Sequence, residues 1–546
     1  MKKIALLLAV VLILSMFAAC GNKPAAADSS EKTGESGTTE TTGQTEESAK
    51  TEAGEATDEP AGEVKDSLTL STNMVVTTVD PWDASSLQNS IIRQQIFEPL
   101  FYYNDNTKEF ESRLAETYEV SEDGLTYTFH LRPGVKFHNG EEMTAGDVVY
   151  SLKKGMEAPS LASYTANWTD AVVVDDYTVE LKLNAASMVT LLNLNNVYIV
   201  NEKAAEEAGD QLGSSIVLCG TGPYYLTEYN PDVQVVMDAF PDYYLGEASI
   251  KHVTFKPITD ASTGLIAFQN GEIDFYSIPT ANWAEISESG DYNCELVAQN
   301  HITYFSVNYD GVLADARVRK AIGHCIDKEA MNIGAYDGYA TIAPGMLNAN
   351  YVLGAPDDPI QYEYNIEKAK ELLAEAGYPD GLDVGKILTI SGGYFEKMAL
   401  ILQQSLAQAG IKAELDSMEQ GAALAQMATG DFDILVCGYG CGYDYDFWKV
   451  MTDGIVSDSG MFVKTGRADE SLGLKTQEIH DLYLQAETEQ DQTKRNGLYK
   501  QIDDLIMETG CWFPVFYRTS PYAWAKDLNA VMHPTVYHVY EWSWSK

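Results

Sequence analysis

The hydrophobic and polar positions of the chain follow two periods, one typical of β-strands and one typical of α-helices. The segments 126–131 (TYTFHL) and 177–183 (YTVELKL) alternate strictly, which places their large apolar residues on one face of a strand. Between them, the stretch 144–156 carries apolar residues at helical spacing and opens with Thr144 and Asp147 at the spacing of a capping box. The pattern therefore predicts an α+β unit in this part of the chain.

The second half of the chain repeats a helix followed by a strand. A helix is predicted between a capping Asn365 and Gly377, because apolar residues form one stripe between them. The segment 398–410 (MALILQQSLAQAG) predicts another helix, which runs directly into a strand at 411–415 (IKAEL). Such units build a parallel or mixed sheet covered by helices. The segment 431–440 (DFDILVCGYG) predicts a buried strand, and ligands bind at the carboxyl ends of strands in open α/β sheets.

The first 66 residues predict export and anchoring. Residues 1–20 combine a basic start, an apolar run and small residues before Cys20, which is the pattern of a lipoprotein signal peptide with a lipobox. An ordinary signal peptide with a chance cysteine is the alternative. Residues 21–66 lack aromatic residues and large apolar residues, so we expect a disordered acidic tether. No later segment has the run of about 18 apolar residues that a membrane span needs, so we expect a lipid anchor at Cys20.

The length of the chain predicts the number of domains, and its charge argues against one class of partner. A chain of 546 residues predicts roughly three domains. The formal net charge is -45, and no run of Lys and Arg provides a local exception. Nucleic acids are bound through Lys and Arg patches, so the sequence argues against a nucleic-acid partner. We interpret the acidic excess as a solvated exterior.

The cysteines predict neither a disulfide scaffold nor a metal centre. Cys437 and Cys441 are one residue too far apart for a C-x-x-C redox motif, and no second pair or nearby histidine completes a zinc site. A local disulfide and two buried thiols both remain as interpretations of this pair. The number of cysteines after Cys20 leaves room for one or two disulfides; the others are Cys219, Cys294, Cys325 and Cys511.

The motifs of the common hydrolases are missing. Ser151 and Lys154 match the S-x-x-K pattern of penicillin-binding enzymes, but the companion S-D-N and K-T-G elements are absent from the sequence. We interpret this segment as a surface helix that carries Ser and Lys. G-x-S-x-G, H-E-x-x-H and the P-loop pattern are absent as well. The sequence therefore predicts no enzymatic activity, no metal and no cofactor, with a secreted hydrolase as the less favoured alternative.

Several long segments resemble one family, the extracellular solute-binding proteins of family 5, which are substrate-binding lipoproteins of peptide-type ABC transporters. The most specific of them is LAETYEVSEDGLTYTFHLRPGVKFHNGEEMTAGDVVYSLKK at 114–154. Similar segments follow along the chain: 220–226 (GTGPYYL), 268–275 (FQNGEIDF), 304–331 and 369–381. The resemblance covers the chain from about residue 68 onward.

The resemblance implies an α/β fold with two lobes, of the large, three-subdomain, class II periplasmic-binding-protein type. Two crossover strands would join the lobes, the first at 299–309 and the return at 512–525. The implied domains are an N-terminal lobe at 67–300 with an inserted α+β subdomain at about 103–195, a C-terminal lobe at 301–511, and a return segment at 512–546 that completes the N-terminal lobe.

The resemblance also implies a ligand site. In peptide-binding relatives a carboxylate after the strand that corresponds to 431–440 pairs with the α-ammonium of the ligand; here the candidate is Asp444, with Asp446 next. Two solvated loop aspartates are the alternative. Aromatic residues would line the cleft, although some of them would pack into the core instead; the candidates are Tyr439, Tyr443, Tyr445 and Trp448, with Trp82 on the opposite lobe.

The implied function is that of a receptor. We expect a monomer on the outer face of the bacterial cell membrane, on the periplasmic side in a Gram-negative cell, that closes around a peptide by hinge bending and delivers it to the permease and ATPase subunits of an ABC importer. A receptor of the same fold for an oligosaccharide, a nickel complex or another small solute is the alternative.

Overall fold

A computed structural model of the chain describes residues 65–72, 74–83, 87–348, 355, 358–440, 475–489, 491–534 and 537–545. The strands are β1 (Ser67–Thr72), β2 (Phe101–Asn104), β3 (Glu109–Ser112), β4 (Ala115–Val120), β5 (Thr126–Leu131), β6 (Trp168–Asp175), β7 (Thr178–Leu183), β8 (Tyr224–Asn230), β9 (Gln234–Ala239), β10 (His252–Pro257), β11 (Phe275–Ser277), β12 (Tyr292–Val307), β13 (Thr341–Ile342), β14 (Leu382–Ile390), β15 (Ile411–Met418), β16 (Ile434–Gly440), β17 (Trp512–Ala525), β18 (Leu528–Asn529) and β19 (Ser543–Trp544). The α-helices are α1 (Leu87–Ile96), α2 (Ala145–Glu157), α3 (Ala162–Thr165), α4 (Thr190–Leu194), α5 (Glu202–Ala208), α6 (Ala261–Gln269), α7 (Trp283–Ser289), α8 (Ala316–Gly323), α9 (Lys328–Tyr336), α10 (Ile366–Glu375), α11 (Tyr394–Gln408), α12 (Gln420–Ala428), α13 (Thr476–Thr488) and α14 (Gln492–Glu508).

One large mixed sheet runs through most of the described part of the molecule. Its strands follow the order β15-β14-β16-β12-β17-β11-β1-β10-β9-β8, and β13 pairs with β17. At one end β14 is parallel to β15 and β16, and at the other β1 is parallel to β10 and β11. The long strands β12 and β17 pair in antiparallel fashion between them. A separate four-stranded sheet, β4-β5-β7-β6, lies apart from this path.

Distinct hydrophobic cores divide the molecule into three units. The N-terminal lobe packs β1, β8 to β11, α1, α5 and the chain end around one core. The inserted subdomain, which runs from β2 to α4, packs its own core around the four-stranded sheet. The C-terminal lobe, from α8 to α14, covers both faces of its half of the large sheet. The α/β class of the sequence prediction is confirmed, whereas the exact domain boundaries stay predictions.

The two lobes are joined through β12 and β17. On β12, Val297 belongs to the core of the N-terminal lobe and Ile302 to a core of the C-terminal lobe. On β17, Trp524 belongs to the core of the N-terminal lobe and Tyr517 to a core of the C-terminal lobe. Both strands therefore pass from one lobe to the other, which confirms the predicted crossovers. The register between them shifts at two points. At the first shift Ala298 pairs with Thr519 and Ile302 with Tyr517, so residues 299–301 lie opposite Arg518 alone. We call these four residues the hinge.

The predicted helix caps and helix ends are found in the structure, because these features depend on residues close together in the sequence. Asn365 caps α10, because its Oδ1 accepts a hydrogen bond from the backbone N–H of Lys368 at 2.9 Å. The helix stops before Gly377, whose φ of +97° is a left-handed conformation that favours glycine. At the start of α2, the backbone N–H of Thr144 donates to Asp147 Oδ2 at 3.0 Å, as the capping box predicts.

Ser151 differs from the prediction of a surface serine. Its side chain is fully buried, and its hydroxyl donates to the carbonyl oxygen of Asp147 at 2.8 Å while accepting from the backbone N–H of Val200 at 3.0 Å. The hydroxyl holds α2 against the segment that follows α4. Lys154 is partly exposed and pairs with Glu157. The S-x-x-K spacing therefore brings together a packing residue and a surface residue.

The described helices carry no membrane span. None of them combines the length and the apolar composition that crossing a bilayer requires.

The end of the chain is tied to the inserted subdomain through a buried histidine, which predicts a pH-dependent stability. His533 Nδ1 lies 3.0 Å from Asp105 Oδ1 and Nε2 lies 2.8 Å from Glu541 Oε2. Burial alone would lower the pKa of His533, but the two carboxylates outweigh it and raise that pKa to about 9. Because the unfolded pKa is about 6.5, this stabilisation is complete below pH 6.5 and is lost as the pH rises through 9.

Denaturant unfolding of the wild type and of a His533→Gln variant at pH 6.5 and pH 9 checks this prediction. We expect the wild type to lose up to about 3 kcal/mol more than the variant over this range. Burial lowers the pKa of the neighbouring His538 to about 3, so it is neutral in the folded protein, and its protonation in the unfolded state affects the wild type and the variant equally. Equal losses in the two proteins would show that His533 is not protonated in the folded state.

Candidate functional site

Strand β16, which precedes the predicted ligand loop in the sequence, ends beside the hinge. Strand β16, which matches the predicted strand at 431–440, ends at Gly440, and Gly440 is the register partner of His301 on β12. A Cβ atom on Gly440 would meet no atom of the described residues within 4 Å. The last residue of β16 therefore lies directly beside the hinge.

Gly438 makes room for the ring of His301 on the same sheet. A Cβ atom on Gly438 would lie 2.5 Å from Cε1 of His301 and 3.2 Å from the ring of Phe395, so a larger residue would displace the histidine. Burial and then the positive charge of Arg518 lower the pKa of His301 to about 3. His301 is therefore neutral at physiological pH, and its buried Nδ1 has no hydrogen-bond partner among the described residues.

Arg518 is a charged residue at the hinge that the sequence prediction missed. Its charge acts on His301, on Tyr336 of the C-terminal lobe and on Tyr522, which packs against the core of the N-terminal lobe. Burial raises the pKa of both tyrosines, so both are neutral hydrogen-bonding groups near pH 7. The available signal was a single basic residue within the otherwise apolar and aromatic strand WFPVFYRTSPYAWA.

Tyr439 lies one residue before the end of β16. It is half-buried and packs against a core of the C-terminal lobe, where its register partner Ile302 is also found. This position agrees with the expectation that some of the aromatic residues pack into the core. A direct contact between Tyr439 and a ligand stays a prediction.

Trp82 joins the N-terminal lobe to the inserted subdomain. Its ring lies edge-on to Tyr150 of α2, with 6.2 Å between the ring centroids, and its carbonyl oxygen accepts a hydrogen bond from Ser160 at 2.7 Å. Asp80 shapes this loop by accepting the backbone N–H of Trp82 at 2.8 Å. The indole Nε1 is buried without an acceptor in the described part of the chain. The ring therefore has a packing role, and its role toward a ligand stays a prediction.

The remaining predicted site residues lie outside the described residues. They are Asp444, Asp446, Tyr443, Tyr445 and Trp448 in the predicted loop, and Cys20 at the predicted lipobox.

The two lobes also contact each other on either side of the crossovers. The backbone N–H of Met188, in the inserted subdomain, donates to the carbonyl oxygen of Glu487 on α13 at 3.2 Å. The hydroxyl of Thr280, in the N-terminal lobe, donates to Asp337 at the end of α9 at 2.9 Å. These contacts join surfaces that a hinge motion would separate or slide.

A small cavity lies away from the hinge, between the N-terminal lobe and the inserted subdomain. Its volume of about 30 Å³ suits one or two water molecules and is far too small for a peptide. Glu98 on its wall accepts hydrogen bonds from the hydroxyls of Tyr243 at 2.7 Å and Tyr244 at 3.0 Å. This cavity belongs to the joint between two units of the fold.

The described residues contain no group of three or more His, Cys, Asp or Glu side chains that could hold a metal ion. Cys437 is a free, buried thiol, and burial raises its pKa to about 12. Cys441 lies outside the described residues, so both interpretations of the pair stay predictions.

Comparisons with known proteins agree with this architecture. The chain matches the family model of bacterial extracellular solute-binding proteins, family 5 Middle, over residues 109–453. The glutathione-binding protein GsiB of Salmonella paratyphi A is 30% identical over 469 residues, which cover 83% of this chain and 89% of that protein.

Solved structures show the same fold. HbpA2 from Haemophilus parasuis superposes with a TM-score of 0.77 at 25% identity, over 88% of this chain and 100% of HbpA2. The oligopeptide-binding protein AppA from Bacillus subtilis, solved in complex with a nonapeptide, superposes with a TM-score of 0.66 at 22% identity, over 89% of this chain and 100% of AppA. The two-lobed fold is therefore confirmed, and this chain belongs to the bacterial extracellular solute-binding proteins of family 5.

Proposed function

We propose that this protein captures peptides between its two lobes and delivers them to the permease and ATPase subunits of an ABC importer. The observation that carries the proposal is the register of β12 and β16, which sets Gly440 beside His301 at the hinge. A ligand held there would contact residues of both lobes. Such a ligand stabilises the closed form to the extent that it binds that form better than the open one.

Recognition would combine one charge pair with main-chain contacts. Asp444, four residues after the end of β16, would pair with the α-ammonium of the peptide, with Asp446 as the second candidate. The aromatic residues Tyr443, Tyr445 and Trp448 would contact ligand side chains, together with Tyr439 and Trp82. The extended peptide backbone would bind as an added strand, which depends little on its sequence.

The similarity to GsiB supports a peptide more than a sugar. That relative is named for glutathione, which is a tripeptide with a free ammonium group and two free carboxylates. Titration calorimetry of the protein with tri-alanine, glutathione and maltotriose tests the choice. We expect heat of binding with the peptides and none with the sugar. Binding of maltotriose alone would replace the proposal by the oligosaccharide alternative.

A receptor without enzymatic activity should release its peptide without cleaving it. Incubation of the protein with the same peptides, followed by mass spectrometry, is expected to recover them intact. The appearance of cleavage products would favour the secreted hydrolase instead.

We also propose that the protein is held on the outer face of the cell membrane through a lipid on Cys20. We expect a Cys20→Ala variant to lose incorporation of labelled palmitate, because Cys20 is the proposed attachment site of the lipid. Cys294→Ala, which removes a free cysteine of the folded body, is the matched control and should keep the label. Labelling of the Cys20→Ala variant at the level of the wild type would contradict the anchor.

A further inference from the structure

The inserted subdomain touches the C-terminal lobe through the loop between β7 and α4. The backbone N–H of Met188 in this loop donates to the carbonyl oxygen of Glu487, in the last turn of α13, at 3.2 Å. The carbonyl oxygen of the preceding residue, Ser187, accepts a hydrogen bond from the hydroxyl of Tyr127 on β5 at 2.9 Å. We call this junction the subdomain contact. A hinge motion changes it, because the inserted subdomain is tied to the N-terminal lobe and α13 belongs to the C-terminal lobe.

Arg495 lies on the C-terminal-lobe side of the subdomain contact. It is near the start of α14, and only residues 489–491 separate α13 from α14, so the end of α13 and the start of α14 lie side by side. Burial raises the pKa of Tyr127 and the positive charge of Arg495 opposes that rise, so the guanidinium is close to the inserted subdomain. Arg495 is 4% exposed, whereas the three residues before it on α14 are exposed: Gln492, Thr493 and Lys494. Among these four residues, Arg495 alone is turned inward.

The buried guanidinium of Arg495 is poorly paired. Nη2 donates to Oε1 of Gln492, on the same helix, at 2.6 Å. Nε and Nη1 are buried and have no acceptor among the described residues. In two other buried arginines, Arg93 and Arg319, a single guanidinium nitrogen is left in this condition. The charge of Arg495 is thus enclosed with a neutral amide as its acceptor in the described structure.

Both its burial and its place on the helix make this charge costly. A buried guanidinium without acceptors loses the hydrogen bonds that water provides. The N-terminal end of a helix carries a partial positive charge, which repels a nearby cation. Separation of the subdomain contact would let water reach the guanidinium, so the burial of Arg495 opposes the contact.

We propose that the buried guanidinium of Arg495 weakens the subdomain contact and shifts the two lobes toward the open arrangement. A receptor that closes around a ligand has to open again to release it, and a charge that is buried on closure favours opening. This effect belongs to the hinge motion of the two-lobed fold and does not depend on which ligand is bound. The protein without ligand is therefore sufficient to show it.

Hydrogen–deuterium exchange of single backbone amides measures the subdomain contact directly. The N–H of Met188 exchanges when its hydrogen bond to the C-terminal lobe breaks, so its exchange rate follows the fraction of open contact. The N–H of Asn193 donates to the carbonyl oxygen of Val189 at 2.8 Å, within the inserted subdomain, and reports the stability of that subdomain. A change at Met188 without a change at Asn193 is therefore specific to the contact.

We expect two uncharged variants, Arg495→Met and the more polar Arg495→Gln, to slow the exchange of Met188 by about tenfold or more and to leave Asn193 within about twofold of the wild type. Arg495→Lys keeps the charge and should not slow Met188 by more than about threefold. Lys494→Met is the matched control, because it removes the same charge from the exposed neighbour on the same helix, and it should leave Met188 unchanged. Thermal unfolding of each variant establishes that it is folded.

Four outcomes would overturn this role of Arg495. Faster exchange of Met188 in the uncharged variants would show that the guanidinium stabilises the contact, and an unchanged rate would show that it has no influence there. Equal slowing in Lys494→Met would assign the effect to the net charge of the helix. Equal slowing of Met188 and Asn193 would assign it to the stability of the inserted subdomain.

Discussion

Replacing Asp444 with asparagine is expected to weaken the binding of peptides with a free N-terminus by about 100-fold, and that of N-acetylated peptides by less than about threefold. The reason is the cost of leaving an ammonium group unpaired inside a closed cleft. An acetylated N-terminus carries no charge and forms no ion pair with the carboxylate, so removal of the carboxylate should hardly change its binding. Titration calorimetry with tri-alanine and acetyl-tri-alanine measures both effects.

Asp446→Asn is the matched control for this experiment. It removes the same charge two residues away, so it reproduces any general effect of making the protein less acidic. If the Asp446 variant shows the selective loss instead, the ammonium partner is Asp446. Equal losses for free and acetylated peptides in both variants would contradict an ammonium site in this loop.

The Gly222→Ala substitution is expected to lower the free energy of unfolding by about 3 kcal/mol or more. Gly222 belongs to the segment GTGPYYL and packs directly against the end of α1. A Cβ atom on it would lie 2.6 Å from the carbonyl oxygen of Ile96 and 2.7 Å from that of Gln95. These are backbone atoms that cannot rotate away, and the backbone N–H of Gly222 already donates to Ile96 at 2.9 Å.

Gly497→Ala provides the comparison in the denaturant titration. Gly497 lies within α14, and a Cβ atom there would meet no other atom within 4 Å. We expect this substitution to stabilise the protein by up to about 1 kcal/mol, because alanine is the better helix former. A Gly222→Ala protein with the same unfolding midpoint as the wild type would show that the approach to α1 is loose.

The sequence predicts those elements whose signals are local. The helix that follows Asn365 and the buried faces of β5 and β7 are found as predicted, because capping, glycine stops and strict alternation depend on neighbouring residues. The order of strands depends on pairing across hundreds of residues. Strand β1 pairs with β10 and β11, and neither is its neighbour in sequence. Periodicity carries no information about pairing partners, and the family resemblance implied the two lobes and the crossover strands but no order of strands.

The candidate site, too, was only partly predictable from the sequence. The sequence draws attention to the loop after β16 because aspartates and aromatic residues are concentrated there. Arg518 attracts no attention on its own, since a single arginine in a strand is common. It becomes informative only when the register places it opposite residues 299–301 of β12. Ser151 is the opposite case, because a motif spacing suggested chemistry and tertiary packing explains the residue.

Native mass spectrometry of the purified protein tests the central claim, peptide capture between the lobes, most directly. A receptor that closes around its ligand retains part of it through purification, so the protein should carry bound mass that is released on unfolding. We predict a ladder of peptide masses, each bound to one copy of the protein. A single discrete mass of a sugar or a metal complex would contradict peptide capture.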